Sequence, residues 1–180
     1  MGNPKALLRK IVSWILLRIF RTRVTIKEES ARLIRHGRTL IVANHVSFLD
    51  GLLIVIASPA PLVVAVDTDY SVRNSWTAAG MRFLSWLGYG LVVPLDQTSP
   101  FGIRRLKRKL EEGFSVLLFP EGKISPDGNE QPYMSGMKWL ISSSSGINIV
   151  WARITGAEKS RLFAKSGKQL WPKITVNIGS

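Results

Sequence analysis

The 180-residue chain has no cysteine, which excludes disulfide scaffolds, thiol nucleophiles and cysteine-based metal sites. It has only two histidines, His36 and His45, so a metal hydrolase would be short of ligands. No Gly-x-Ser-x-Gly elbow occurs, and "YMSGM" (Tyr133 to Met137) lacks the leading glycine, so a serine hydrolase is a poor fit. A glycine-rich nucleotide-binding loop is also missing. Acidic residues are scarce, 12 against 25 Lys and Arg, which leaves a net charge of +13. Outside the N-terminal segment, the longest uncharged run is Gly51 to Val66, interrupted by Pro59 and Pro61. It is too short to span a bilayer, which takes about 20 apolar residues.

What the chain does have is a hydrophobic content of 46%, enough for one folded domain with a core of its own. The positive charge sits at the ends. Residues 1–38 carry ten Lys/Arg against Glu28 and Glu29, and residues 151–180 carry six against Glu158. Such a surface attracts polyanions, whether nucleic acid, anionic lipid or phosphorylated substrates. The segment "KALLRKIVSWILLRIFRTRV" (Lys5 to Val24) narrows that choice. Arg9, Lys10 and Arg18 interrupt it, so it does not read as a spanning helix, and it has no small-residue cleavage site of a secretory signal. A basic helix with bulky aliphatic residues, Trp14 and Phe20 reads as lying in a membrane interface. The competing reading is a helix packed on the domain with its arginines in solvent. The apolar residues cover more than one narrow stripe, which favours lipid, and their place in a helix disfavours nucleic acid. The expectation is an interfacial helix over residues 1–22 and a single domain over 23–180.

Beyond that segment, apolar β-rich runs alternate with helical patterns. Strands are expected at Thr39–Ala43, Leu62–Val66, Gly90–Leu95, Phe114–Phe119, Ile147–Ile154 and Lys173–Ile178. Helices are expected at about 48–58, 71–87, 99–112 and 134–145. Several strands are continuously apolar, as in a parallel sheet covered on both faces. The fold class is therefore α/β, a mixed, mostly parallel sheet flanked by helices.

Two strand exits carry chemistry. After Ala43 comes "NHVSFLD", and after Leu118 comes "FPEGKIS". On one continuous helix, positions i and i+5 lie about 140° apart, so His45 and Asp50 would not share a face. With the helix starting near Ser47 or Phe48, His45 falls in the preceding turn and the two side chains converge. Asp50 then fixes the imidazole tautomer and His45 becomes a general base. Alternatively, Asp50 is a first-turn residue favoured by the helix dipole and His45 an ordinary turn residue. At the second exit, Glu121 needs hydrogen bonds if buried, Gly122 permits a sharp turn, and Lys123 offers a charge to a phosphate.

Asn44, His45 and Asp50 in an Asn-His-x4-Asp pattern, followed about 70 residues later by Phe119-Pro120-Glu121-Gly122, resemble the first and third motifs of the glycerolipid acyltransferase family. That family includes the lysophosphatidate acyltransferases, and the likeness runs from about Arg23 to Ser180. The resemblance implies acyl transfer, with His45 and Asp50 as catalytic residues and Asn44, Ser47, Glu121, Gly122 and Lys123 binding substrate. The acyl donor would be a thioester of acyl carrier protein or coenzyme A, with no cofactor and no metal. The partners would be a lysophospholipid and an anionic membrane surface, at the cytoplasmic face of a bacterial inner membrane. Three motifs depart from the family pattern. Asp96 stands where the second motif has arginine, Lys123-Ile124 replace Thr/Ser-Arg in the third, and Val150 is followed by Trp151 rather than proline. This pattern is similar to the acyltransferase domains joined, in bifunctional bacterial proteins, to an acyl-acyl-carrier-protein synthetase. Their acceptor is 2-acylglycerophosphoethanolamine, whose phosphodiester suits fewer arginines than a phosphomonoester.

Overall fold

The computed structural model describes residues 4–67, 75–95, 100–143 and 145–179. In chain order the elements are helix α1 (Pro4–Ile19), strand β1 (Thr22–Ile26), α2 (Glu28–His36), β2 (Thr39–Ala43), α3 (Asp50–Ala57), β3 (Leu62–Asp67) and α4 (Ser75–Trp86). They continue with β4 (Gly90–Leu95), α5 (Pro100–Glu111), β5 (Ser115–Leu118), α6 (Ser135–Ser143), β6 (Asn148–Thr155), a 3-10 turn (Ala157–Lys159) and β7 (Ile174–Ile178). The seven strands form one sheet in the order β1-β7-β6-β2-β5-β3-β4. Every neighbouring pair is parallel except β6 with β7.

The hydropathy of each strand matches its place. β2 and β5 are buried along their whole length, as central strands covered on both faces must be. β6 and β7 alternate buried with more exposed positions and have one face covered. Alternate side chains of β2 enter two separate cores. Ile41 joins Ile34, Leu53, Ile54 and Leu117 on one face of the sheet, while Leu40 and Val42 join Leu106, Leu110, Met137 and Leu140 on the other.

The expected strands and helices are present within one or two residues of their ends, apart from 71–74 of the second helix, which lie outside the described residues. β1 and α2 were not anticipated. The basic apolar segment stops being helical at Ile19, and Thr22–Ile26 pairs with β7, residue 22 beside residue 174. No local window reveals a partner that distant, and "TRVTI" continues the preceding apolar and basic pattern. α2 is short, but its signs are ordinary: Glu28 and Glu29 in the first turn, Arg35 and His36 in the last, and Gly37 as the stop.

α1 is packed on the domain, and its outer face is also apolar. Val12, Leu16, Leu17 and Phe20 face the core. Leu7, Leu8, Ile11, Trp14 and Ile15 are exposed, Trp14 to 62%. Arg9 turns inward instead of outward. Its guanidinium donates to the carbonyls of Ser58 (3.1 Å) and Gly88 (3.3 Å), just past the ends of α3 and α4, and lies over the Tyr89 ring. Burial lowers its pKa from the usual arginine value, opposed by Tyr89. The buried Tyr89 hydroxyl donates to the Arg9 carbonyl (2.7 Å) and meets Ser13 Oγ at 2.8 Å. Among the described residues, no helix is long and apolar enough to cross a membrane. Replacing Tyr89 with Phe deletes both contacts and is expected to cost about 1–2 kcal/mol in urea unfolding. A midpoint equal to the parent's would show that this hydroxyl contributes nothing to holding α1.

Candidate active site

β2 and β5 are adjacent, with Val42 opposite Leu118, so the two chemistry-bearing exits leave the same edge of the sheet side by side. β6 flanks β2 on the other side, with Ala43 opposite Ala152. Asn44 anchors the chain as it leaves β2. Its Nδ2 donates to the Ile154 carbonyl (2.9 Å) and its Oδ1 accepts from the Ile154 N–H (2.8 Å). Expected to bind substrate, this amide is engaged at both ends by backbone and acts as a clamp on β6.

His45 is held from four directions. Its N–H donates to Glu121 Oε1 (3.0 Å), and its carbonyl accepts from the Ser125 N–H (2.8 Å). The imidazole stacks on Phe119, with ring centroids 4.3 Å apart and planes at 22°. Nδ1 lies 3.0 Å from Asp50 Oδ2. The side chain is still 20% exposed, so the ring is fixed but not sealed.

Asp50 begins α3 and is completely buried. The helix therefore starts after the histidine, and the turn of residues 45–49 brings the two side chains together. Asp50 Oδ2 accepts from the N–H groups of Val46 (2.6 Å) and Ser47 (2.7 Å), and Oδ1 accepts from Ser47 Oγ (2.6 Å). Ser47 Oγ in turn accepts from the Leu49 N–H (3.2 Å). This is a relative of the capping box, in which a serine and an acidic residue three positions on satisfy each other's backbone donors. The α3 N-terminus further favours the carboxylate. Every other partner of Asp50 is a donor, so the carboxylate acts as acceptor toward the ring as well. Nδ1 then carries the hydrogen, and Nε2 presents a lone pair. Ser47, expected to bind substrate, is fully buried, and its hydroxyl faces Asp50.

The third-motif loop closes over this turn. Glu121, 4% exposed, accepts from His45 N–H and, through Oε2, from Gln131 N–H (3.0 Å). These are the partners a buried carboxylate requires. Gly122 has φ +66°, and a Cβ there would sit 2.2 Å from Met134 Sδ, so the turn accepts only glycine comfortably. Lys123 is exposed and Ile124 is buried. Asp96 lies outside the described residues. Reading the sequence alone missed the stacking of Phe119 and the backbone contact of Ser125. The first has a signal in the Phe-Pro-Glu-Gly motif; the second, a backbone N–H, has none.

Asp50→Ala would strand several buried donors, and is expected to cost about 3 kcal/mol or more by chemical denaturation. A loss below about 1 kcal/mol would mean that the carboxylate does not organise the turn.

Comparison with known proteins gives the family. A chloroplastic 1-acyl-sn-glycerol-3-phosphate acyltransferase of Brassica napus is 27% identical over 129 residues, covering 66% of this chain and 33% of that protein. A lyso-ornithine lipid O-acyltransferase of Rhizobium meliloti is 35% identical over 97 residues, covering 53% of this chain and 30% of the relative. The chain thus spans about a third of the length of the curated relatives it matches. The crystal structure of the 1-acyl-sn-glycerophosphate acyltransferase PlsC from Thermotoga maritima has the same fold, with a TM-score of 0.63 and 19% identity over 99% of this chain and 71% of that one. Residues 21–154, which hold the first and third motifs and the β6 backbone that anchors Asn44, match the acyltransferase family, and the chain belongs to it.

Proposed function

We propose that the chain is an O-acyltransferase that moves a fatty acyl group from an acyl thioester to a hydroxyl of a lysolipid. The observation that carries this reading is the His45–Asp50 pair, with Nδ1 bonded to a buried carboxylate already held by three other hydrogen bonds. His45 Nε2 takes the proton of the acceptor hydroxyl as its oxygen attacks the thioester carbonyl. The tetrahedral intermediate expels the thiolate, which receives that proton from His45, so the imidazole is restored without a covalent acyl-enzyme. Asp50 holds the ring and stabilises its protonated form; Asn44, Ser47, Glu121 and Ser125 keep the turn in place. The donor is an acyl-carrier-protein or coenzyme A thioester, and no metal or prosthetic group takes part.

The preferred acceptor is lysophosphatidylethanolamine. With Ile124 buried where the third motif has arginine and Lys123 exposed beside it, the loop offers less positive charge than a phosphomonoester favours. The names of the Brassica and Thermotoga relatives support lysophosphatidate as a second reading, and that of the Rhizobium relative supports a lyso-ornithine lipid. The enzyme works at the cytoplasmic face of a bacterial inner membrane, held there peripherally by α1, whose exposed apolar residues are interspersed with Lys5, Lys10 and Arg18.

With an acyl thioester and lysophosphatidylethanolamine, His45→Ala is expected to lower kcat about 100- to 10,000-fold, the usual contribution of a general base. Equal rates from folded parent and variant would overturn the mechanism. In kcat/KM, lysophosphatidylethanolamine is expected to exceed lysophosphatidate by about tenfold, and the reverse order assigns the second reading. For α1, the double variant Ile11→Ser/Trp14→Ser should sediment less with phosphatidylglycerol vesicles than the parent. Unchanged sedimentation removes α1 from the membrane contact.

A further inference from the structure

The two cationic ends of the chain meet in the fold. β1 pairs with β7, Trp171 Nε1 donates to the Ile19 carbonyl (2.6 Å), and Arg21 donates to the Trp171 carbonyl (2.9 Å). The segment brought against the end of α1 is the β6–β7 connection, a closed and built loop. Its neck is formed by Arg161 N–H to the Gln169 carbonyl (2.7 Å) and Gln169 N–H to the Lys159 carbonyl (2.9 Å). Gly167 allows the neck to close, since a Cβ there would lie 2.2 Å from the Ser160 carbonyl oxygen. Phe163 roots the loop, its ring packed edge-on to Phe20 with centroids 6.1 Å apart.

On this rooted frame the outward side chains are of two kinds. Leu162, Leu170 and Trp171 are exposed to 55%, 61% and 46%. Arg161, Lys165 and Lys168 are exposed too, and none forms an ion pair among the described residues. Bulky aliphatic residues, a tryptophan and cations side by side are the chemistry of contact with an anionic phospholipid surface. Nucleic acid would have no use for the leucines, and a second copy would bring +13 against +13.

We propose that residues 159–171 form a second lipid-contacting element, continuous with the outer face of α1, that docks the domain on anionic membrane. The inference rests on the reading of α1 as an interfacial helix and extends it to a part of the chain about 150 residues away. It also links lipid contact to the candidate active site. Phe163 accepts a hydrogen bond from the N–H of Phe48 (2.9 Å), within the turn between His45 and Asp50. The element that rests on lipid therefore also braces the turn that presents the imidazole.

The absence of cysteine makes the test direct. Leu170→Cys and Ile11→Cys, each in the full chain, are labelled with an environment-sensitive fluorophore and mixed with vesicles of phosphatidylglycerol and phosphatidylcholine, or of phosphatidylcholine alone. Blue-shifted, brighter emission is expected at both positions with the anionic vesicles. A response at position 11 with position 170 still in water overturns the loop proposal and leaves α1 in place. Silence at both overturns both, whatever the outcome of the acyltransfer assay. A shift at position 170 that grows with protein concentration and needs no vesicles points to a second copy and also overturns it. In parallel, Lys165→Glu/Lys168→Glu is expected to weaken binding to the anionic vesicles about tenfold or more, with an unchanged circular dichroism spectrum. Unchanged affinity counts against the proposal.

Discussion

The candidate site depends on one buried carboxylate. Asp50 gathers four hydrogen bonds from the five residues before it and leaves no freedom in the turn that carries His45. A buried charge of this kind is tolerable only because it is fully partnered and sits at a helix N-terminus. The requirement runs both ways. The turn needs the carboxylate to satisfy its N–H groups, and the carboxylate needs the turn to supply donors. The ring orientation follows from that mutual dependence, and with it the tautomer that leaves Nε2 basic.

A second carboxylate extends the same logic between strands. Glu121 accepts from the backbone of His45 on one side and of Gln131 on the other, so the loop after β5 is tied to the turn after β2. Ser125 completes the tie at the His45 carbonyl, and Phe119 covers the ring. The third motif thus does more than approach a substrate: it fixes the backbone on both sides of the candidate base. Asn44 does the same toward β6. A site built this way has its geometry set before any substrate arrives.

α1 has features of both readings of the N-terminal segment. It is packed on the domain, as a surface helix would be, yet Arg9 points inward while Trp14 and Arg18 point outward. Arg9 is accommodated because carbonyls at two helix ends accept from it, where the dipoles are negative. With Arg9 turned inward, the outer face sets bulky apolar residues among Lys5, Lys10 and Arg18. The fold adds the exposed residues of the β6–β7 loop beside it.

The buried central strands were legible because four or five consecutive apolar residues have few other uses. The two strand exits were legible as chemistry because a histidine, an aspartate and a glutamate at the edge of a core demand partners. β1 and α2 were not, since one depends on a distant partner and the other is only nine residues long. Within the site, the pairing of His45 with Asp50 was an open alternative in the sequence, contingent on where α3 starts. The roles of Asn44 and Ser47 as backbone clamps, and the bracing of His45 by Ser125, came only from the fold. By itself the sequence determined the apolar periods, the fold class and the identities of the reactive side chains, all local properties of the chain. Tertiary structure alone decided which strand exits became neighbours and which side chains faced inward. Those outcomes depend on pairings between residues far apart in sequence, whose cost in chain entropy is offset only when the whole sheet forms.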